Sequence, residues 1–118
     1  MARILLAEDD GSLRGFLTRA LERAGHEVTA CENGDDAVDA LEDGPWALLL
    51  TDIVMPGADG IEVARIAAGR QPGLRIMFIT GFAAVALTAA QSAPQAKVLS
   101  KPVHLRDLVA EVERMVAA

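Results

Sequence analysis

The fold is indicated by residues 47–57, ALLLTDIVMPG, where an apolar run ends at an acid and a Pro-Gly loop follows. The run at 47–51 predicts a buried strand, so Asp52 would stand at the rim of a sheet, partly out of water. Two other runs end in a similar way. Glu8-Asp9-Asp10 follows the first apolar run of the chain, and Lys101-Pro102 follows the last. Acids and a base at strand ends predict a divalent metal beside a nucleophilic carboxylate.

Length and composition favour a single domain over residues 1–118, without an effector domain. Hydrophobic residues make up 52% of the chain and the mean hydropathy is +0.28, enough for a sizeable core. The net charge of −6 argues against nucleic-acid binding, which needs a basic surface. The single Cys31 fits a reducing cytoplasm, and no apolar run approaches the roughly 18 residues of a membrane span. We therefore expect a cytoplasmic protein with no membrane partner.

Apolar runs alternate with segments of helical period along the chain. Strands are predicted at 3–7, 27–31, 47–51, 75–80 and 97–100, and helices near 13–24, 35–42, 61–69, 83–90 and 105–116. Ser12 is the predicted N-cap of the first helix. Five strands alternating with five helices indicate an α/β fold, a doubly wound five-stranded parallel sheet covered on both faces. The functional loops of such a sheet lie at the carboxyl ends of its strands.

The adjacent carboxylates of Glu8 and Asp9 repel each other unless a cation lies between them. Mg²⁺ prefers oxygen ligands and also binds phosphate oxygens. The alternative is that Asp9 or Asp10 only caps the following helix. Asp52, on a neighbouring strand end, would complete the metal site and can accept a phosphoryl group, although it could also be a solvated loop acid.

Thr80 and Lys101 end the fourth and fifth predicted strands. A hydroxyl and an ammonium there can bind two oxygens of a phosphoryl group as its charge arrives. Each also has an ordinary interpretation, as a strand threonine and as a solvated lysine. Their convergence with the acids at four strand ends favours phosphoryl transfer.

These residues resemble the receiver domain of two-component response regulators, over all 118 residues. The resemblance implies a flavodoxin/CheY-like fold and phosphorylation of Asp52 by a histidine kinase or a histidine phosphotransfer protein. It implies an Mg²⁺ site made of Glu8, Asp9, Asp52 and the backbone carbonyl of Val54. Thr80 matches the hydroxyl residue that acts as the family's switch, and Lys101-Pro102 matches the family's lysine with its usual proline. Residues 55–60 match the loop after the phosphoacceptor.

One position departs from the family pattern. The aromatic residue that receivers carry on the fifth strand is Val98 here, and the chain contains no Tyr. Coupled motion of the hydroxyl and an aromatic ring is therefore in doubt as the output mechanism. We hypothesise that two apolar residues near Asp52, Val54 and Phe82, slow the loss of phosphate; the alternative is that Phe82 only packs locally.

The segment 82–96 contains no charged residue, and Val85 and Leu87 within it could form an apolar surface. Alternatively, both side chains face the core. We take an output face for a downstream protein target to consist of Phe82, Val85, Leu87, Val98 and His104, with His104 more typical of a surface or capping residue than of a ligand.

A narrower resemblance covers residues 49–57, 76–84 and 100–108, which are similar to stand-alone alphaproteobacterial receivers that act as protease adaptors. It implies substrate delivery to the ClpXP protease, with the unphosphorylated form active. We expect a monomer or weak dimer with no enzymatic turnover of an external substrate. Two alternatives stay open: a phosphorelay intermediate, and a metal-dependent phosphatase using Asp52, although such enzymes carry an acid where this chain has Val54.

Overall fold

The computed structural model describes residues 2–117. The strands are β1 (Arg3–Ala7), β2 (Glu27–Cys31), β3 (Leu48–Asp52), β4 (Arg75–Thr80) and β5 (Lys97–Ser100). The helices are α1 (Gly11–Arg23), α2 (Gly34–Ala40) with a 3₁₀ turn at Leu41–Asp43, α3 (Gly60–Arg70), α4 (Ala83–Ser92) and α5 (Leu105–Ala117). All strand pairs are parallel, in the order β2-β1-β3-β4-β5. The predicted doubly wound parallel sheet is confirmed.

The core has two halves, one on each face of the sheet. Leu5 and Leu49 point towards α2, α3 and α4, where Phe78 joins them. Ile4 and Leu50 point to the opposite face, towards α1 and α5. All five side chains are buried, because successive residues of a central parallel strand point to opposite faces that are both covered by helices.

The boundaries near the first acids differ from the prediction. Asp10, rather than Ser12, caps α1, and the prediction for Ser12 was wrong. The Asp10 Oδ1 atom accepts hydrogen bonds from the backbone N–H groups of Ser12 (3.0 Å) and Leu13 (3.1 Å), which places Ser12 inside the first turn. The third strand also runs one residue further than predicted, so Asp52 is its last residue.

Trp46 lies at the amino end of β3, at the opposite edge of the sheet from Asp52. Its side chain is buried, and the guanidinium of Arg3 lies 4.4 Å from the ring centroid. The Gln71 side chain pairs with the Trp46 backbone, accepting from its N–H at 2.8 Å and donating to its carbonyl at 2.6 Å. These contacts fasten the start of β3 to the end of α3.

Candidate functional site

The carboxyl edge of the sheet, defined here by Glu8, Asp52, Thr80 and Lys101, brings the predicted site residues together. The Lys101 Nζ atom donates to Asp52 Oδ2 at 2.7 Å and lies 3.1 Å from Glu8 Oε1. They meet because the parallel strands end at one edge: Glu8 directly follows β1, Asp52 ends the adjacent β3, and Lys101 directly follows β5. Glu8 is fully buried and Asp52 is 5% exposed. A single ammonium thus holds two buried carboxylates.

The Asp52 carboxylate is held on both oxygens. While Oδ2 accepts from Lys101, Oδ1 accepts from the backbone N–H of Ile53 at 2.7 Å. Gly60, the first residue of α3, comes so close that a Cβ there would lie 2.1 Å from the Asp52 carbonyl oxygen. The Gly60 N–H donates to the Ile53 carbonyl at 2.7 Å. The loop after β3 can therefore fold back over the strand end only with glycine at this position.

Charge and burial compete at Glu8 and Lys101. Burial raises the pKa of Glu8 to about 7; the N–H of Asp10 opposes the rise, and the charge of Asp52 adds to it. Burial lowers the pKa of Lys101, but its hydrogen bond to Asp52 and its ion pairs with Asp52 and Glu8 outweigh that effect, and the net result is a raised pKa. The lysine stays charged, and the proton on Glu8 can be displaced by a cation near neutral pH.

The acids fit a hard divalent cation. Glu8, Asp9 and Asp52 each offer a carboxylate oxygen, and these atoms lie within 4.8 Å of one another. Buried Glu8 Oε1 accepts no hydrogen bond in suitable geometry, although Lys101 is nearby, whereas Oε2 accepts from the Asp10 N–H at 3.1 Å. Asp9 is exposed, so a bound ion would keep access to water and to a phosphoryl group.

Thr80 and Val54 occupy different surroundings at the same edge. Thr80 is buried; its Oγ1 accepts from the Phe82 N–H at 3.2 Å, and its carbonyl accepts from the Lys101 N–H at 2.8 Å. Val54, two residues beyond β3, is half exposed. The roles of the Thr80 hydroxyl and of the Val54 carbonyl stay predictions.

Comparison with known proteins identifies the family. Residues 4–113 match the model of the response regulator receiver domain. The chain belongs to this family. The receiver protein CpdR of Brucella abortus (strain 2308) is 61% identical over 119 residues, covering 100% of this chain and 99% of that protein.

Two solved receivers agree with the fold. The CheY-like receiver domain of Methanospirillum hungatei JF-1 superposes with a TM-score of 0.91 at 27% identity, covering 99% of this chain and 94% of that one. The response regulator TrrA of Thermotoga maritima, solved in complex with Mg²⁺ and BeF, gives a TM-score of 0.85 at 28% identity, covering 98% and 99%. The CheY-like fold implied by the sequence is confirmed.

Arg14 is a contributor to the receiver site that the sequence did not reveal. Its Nη1 atom donates to the Glu8 carbonyl at 2.9 Å and so ties the end of β1 to the first helix. An arginine that follows an acid by six residues, with the start of a helix between them, is not a recognisable sequence motif. Only the folded path of the chain brings these two groups together.

The predicted output face is only partly exposed. Phe82 and Leu87 are 60% and 62% exposed, and His104 is also exposed. Val85 and Val98 are half-buried and pack against the core beneath α4. The interpretation that both Val85 and Leu87 face the core therefore holds for Val85 alone. Among the helices of residues 2–117, none has the length and apolarity needed to span a membrane.

Proposed function

We propose that the chain is a phosphorylation-controlled signalling protein in which Asp52 accepts a phosphoryl group from a phosphohistidine. The observation that carries the proposal is the buried Asp52 carboxylate, held 2.7 Å from Lys101 and beside Glu8 and Asp9. Membership of the receiver family and similarity to TrrA, solved with Mg²⁺ and BeF, support it. The donor would be a histidine kinase or a histidine phosphotransfer protein.

Transfer forms a bond between phosphorus and an Asp52 oxygen, and the bond between phosphorus and the imidazole nitrogen breaks. The nitrogen leaves with the electron pair. Glu8, Asp9, Asp52 and the Val54 carbonyl would hold Mg²⁺, which when bound supplies positive charge to the phosphoryl oxygens. Lys101 turns from the Asp52 carboxylate to the incoming phosphoryl oxygens, and Thr80 supplies a further donor. Since these groups are already placed at the carboxyl edge, little reorganisation is needed.

Phosphorylation would change protein contacts through Thr80. Its hydroxyl oxygen accepts from the N–H of Phe82, the residue that precedes α4 and is largely exposed. A hydroxyl that turns to the phosphate alters this contact and, through it, the start of α4. The signal therefore depends on a difference in partner affinity between the two states.

We also propose that the partner is the ClpXP protease, for which the protein acts as an adaptor. The support is the resemblance of residues 49–57, 76–84 and 100–108 to protease-adaptor receivers, together with 61% identity to CpdR. Binding of the purified protease to unphosphorylated and phosphorylated protein tests this step. Equal affinity for the two forms, or no binding to either, would contradict it.

Labelling with a small-molecule phosphodonor tests the phosphoacceptor directly. Wild type should gain the mass of one phosphoryl group when Mg²⁺ is present and none in excess chelator. Asp52→Ala should gain none, whereas Asp39→Ala, which removes an exposed carboxylate on α2, should behave as wild type. Labelling of Asp52→Ala at the wild-type rate would overturn the assignment.

The same preparation separates the alternatives. We propose that the protein does not turn over external substrates; hydrolysis of a small phosphomonoester lost in Asp52→Ala would instead indicate a phosphatase. Transfer of the label to a histidine phosphotransfer protein would indicate a phosphorelay intermediate.

A further inference from the structure

A large cleft separates α3 from α4, on the face of the sheet that carries α2. We call it the α3–α4 cleft; it encloses about 830 Å³. Its walls include Ile61, Ala64 and Ala68 of α3, and its floor is formed by Ile76 and Phe78 of β4. A volume in the range of roughly 300–1,000 Å³ with an apolar lining is typical of small-molecule sites.

The cleft exists because α4 fills little space. The helix consists largely of alanine, and within it Ala89 is fully buried against the sheet. Val85 is half-buried, while Leu87, the largest side chain of the helix, is 62% exposed. Short side chains on the inner face leave space between α3 and α4, while Ile76 and Phe78 beneath this space stay buried. The apolar side chains that can be reached from the cleft are the half-buried Ile61 and Leu74.

The charged residues at the cleft have one sign. Arg65 and Arg75 both line it, and among the lining residues that the structure describes none is acidic, although the chain as a whole carries a net charge of −6. Glu62 accepts from Arg65 Nε at 3.1 Å and from Nη2 at 2.6 Å, which leaves the Nη1 group outside that pair. An apolar lining with a guanidinium group at its rim is complementary to a ligand with an alkyl body and an anionic end.

We infer that the α3–α4 cleft binds a small amphipathic carboxylic acid. Its alkyl chain lies against the half-buried side chains of Ile61 and Leu74, and its carboxylate contacts the Nη1 group of Arg65. This site is separate from the phosphoacceptor, and binding there does not require phosphorylation of Asp52. It borders the phosphoacceptor loop, because Ile61 also lines a cavity of about 350 Å³ beside Val54.

Titration of the full-length protein with straight-chain acids, followed by amide chemical shifts and calorimetry below the micelle concentration, tests this inference. Affinity should rise from hexanoate to octanoate to decanoate, roughly tenfold for each two methylenes buried. Decan-1-ol should bind about three- to fivefold more weakly than decanoate, and Arg65→Gln should reduce decanoate affinity by a similar factor. Shifted amides should cluster at Ala68, Gly73 and Gln95, which line the cleft.

Variants that fill the cleft with a large side chain serve as controls for binding at this site. Ala68 is exposed at the rim, so Ala68→Phe should block decanoate without disturbing the core, while Ala90→Phe on the exposed side of α4 should bind as wild type. Circular dichroism checks folding, and Ser92→Phe is a second blocking variant. The inference would be overturned if decanoate still bound both blocking variants, or if decanoate and decan-1-ol bound with equal affinity. Absence of saturable binding to wild type would overturn it too. Dimerisation that competes with decanoate would do so as well, since the occupant would then be a second copy.

Discussion

The carboxyl edge of the sheet and the α3–α4 cleft differ in how their residues are held. At the edge, Lys101, Glu8 and Asp52 are joined by ion pairs of 2.7 and 3.1 Å in a buried setting. At the cleft, small side chains leave a cavity of about 830 Å³. The chemistry at the edge depends on the positions of a few polar atoms, whereas the shape of the neighbouring surface depends on where large side chains are missing. The edge should therefore tolerate substitution poorly, and the α4 side should tolerate it well.

The largest effect is expected from Gly60→Ala. Because the added Cβ would lie 2.1 Å from the Asp52 carbonyl oxygen, the loop must move, and we expect the free energy of unfolding to fall by about 3 kcal/mol. Gly69→Ala is the matched control in the same helix. No atom lies within 4 Å of its Cβ position, so alanine should stabilise the protein by about 0.5 kcal/mol. Urea denaturation measures both, and equal effects would mean that the close approach imposes no constraint.

Lys101→Met should cost about 2 kcal/mol of unfolding free energy without Mg²⁺, because two buried carboxylates lose their cation. Added Mg²⁺ should recover most of this loss, since an ion that binds the folded state stabilises it. Lys97→Met is the control: its pair with Glu111 is 3.7 Å long and the lysine is exposed, so its removal should cost below about 0.5 kcal/mol. A Lys101→Met protein that is insensitive to Mg²⁺ would contradict the metal site.

Affinity for Mg²⁺ should depend on pH through Glu8, whose pKa is raised from 4.5 to about 7. Between these values the folded metal-free protein holds a proton that the unfolded chain has released, so its unfolding free energy falls as pH rises. Metal binding must displace this proton, so affinity should rise with pH, by about tenfold per pH unit at most, and level off above the folded pKa. Calorimetric titration of wild type and Glu8→Gln checks this; parallel pH profiles would exclude Glu8 as the cause.

Loss of phosphate should be about threefold faster in Phe82→Gln, a barrier change below 1 kcal/mol. Phe82 is 60% exposed beside Thr80, so its ring can exclude water only in part. Phe16→Gln is the control, since Phe16 is a similarly exposed phenylalanine on α1. The decay of phosphorylated protein is followed by intact mass. An unchanged lifetime of the phosphorylated protein in Phe82→Gln would mean that the Phe82 ring only packs locally.

The smallest effect on stability is expected from Leu87→Ala, below about 0.5 kcal/mol, because this side chain is 62% exposed. Leu108→Ala, at a fully buried position of α5, should cost about 3 kcal/mol by comparison. Urea denaturation gives both values. A binding assay with the protease should show weaker binding for Leu87→Ala if the α4 surface is the output face, and unchanged binding would remove Leu87 from it.

The sequence predicted the strands better than the details between them. Unbroken apolar runs mark the buried strands β1 and β4, whose bounds were predicted correctly, as were those of the less buried β2 and β5; β3 is displaced by one residue from the prediction. Caps and close approaches depend on three-dimensional paths instead. Ser12 and Asp10 are both suitable capping residues, and only the backbone direction after β1 selects Asp10.

At the site, the sequence identified which residues would meet but not how they are paired. Glu8, Asp52 and Lys101 were expected at one edge because parallel strands end together. The contact of Arg14 with the Glu8 carbonyl, the close approach of Gly60 and the cleft beside α4 arise from packing between distant segments. No local pattern encodes such contacts.

The position of Trp46 determines what optical spectroscopy can detect in this protein. It is the only tryptophan, tyrosine is absent, and the indole is buried under Arg3 at the amino edge of the sheet. Roughly 20 Å of extended strand separates it from Asp52. Intrinsic emission should therefore follow global unfolding and stay silent when the phosphoacceptor is modified. A fluorescent report of signalling would need an introduced indole near α4, in a background where Trp46 is replaced.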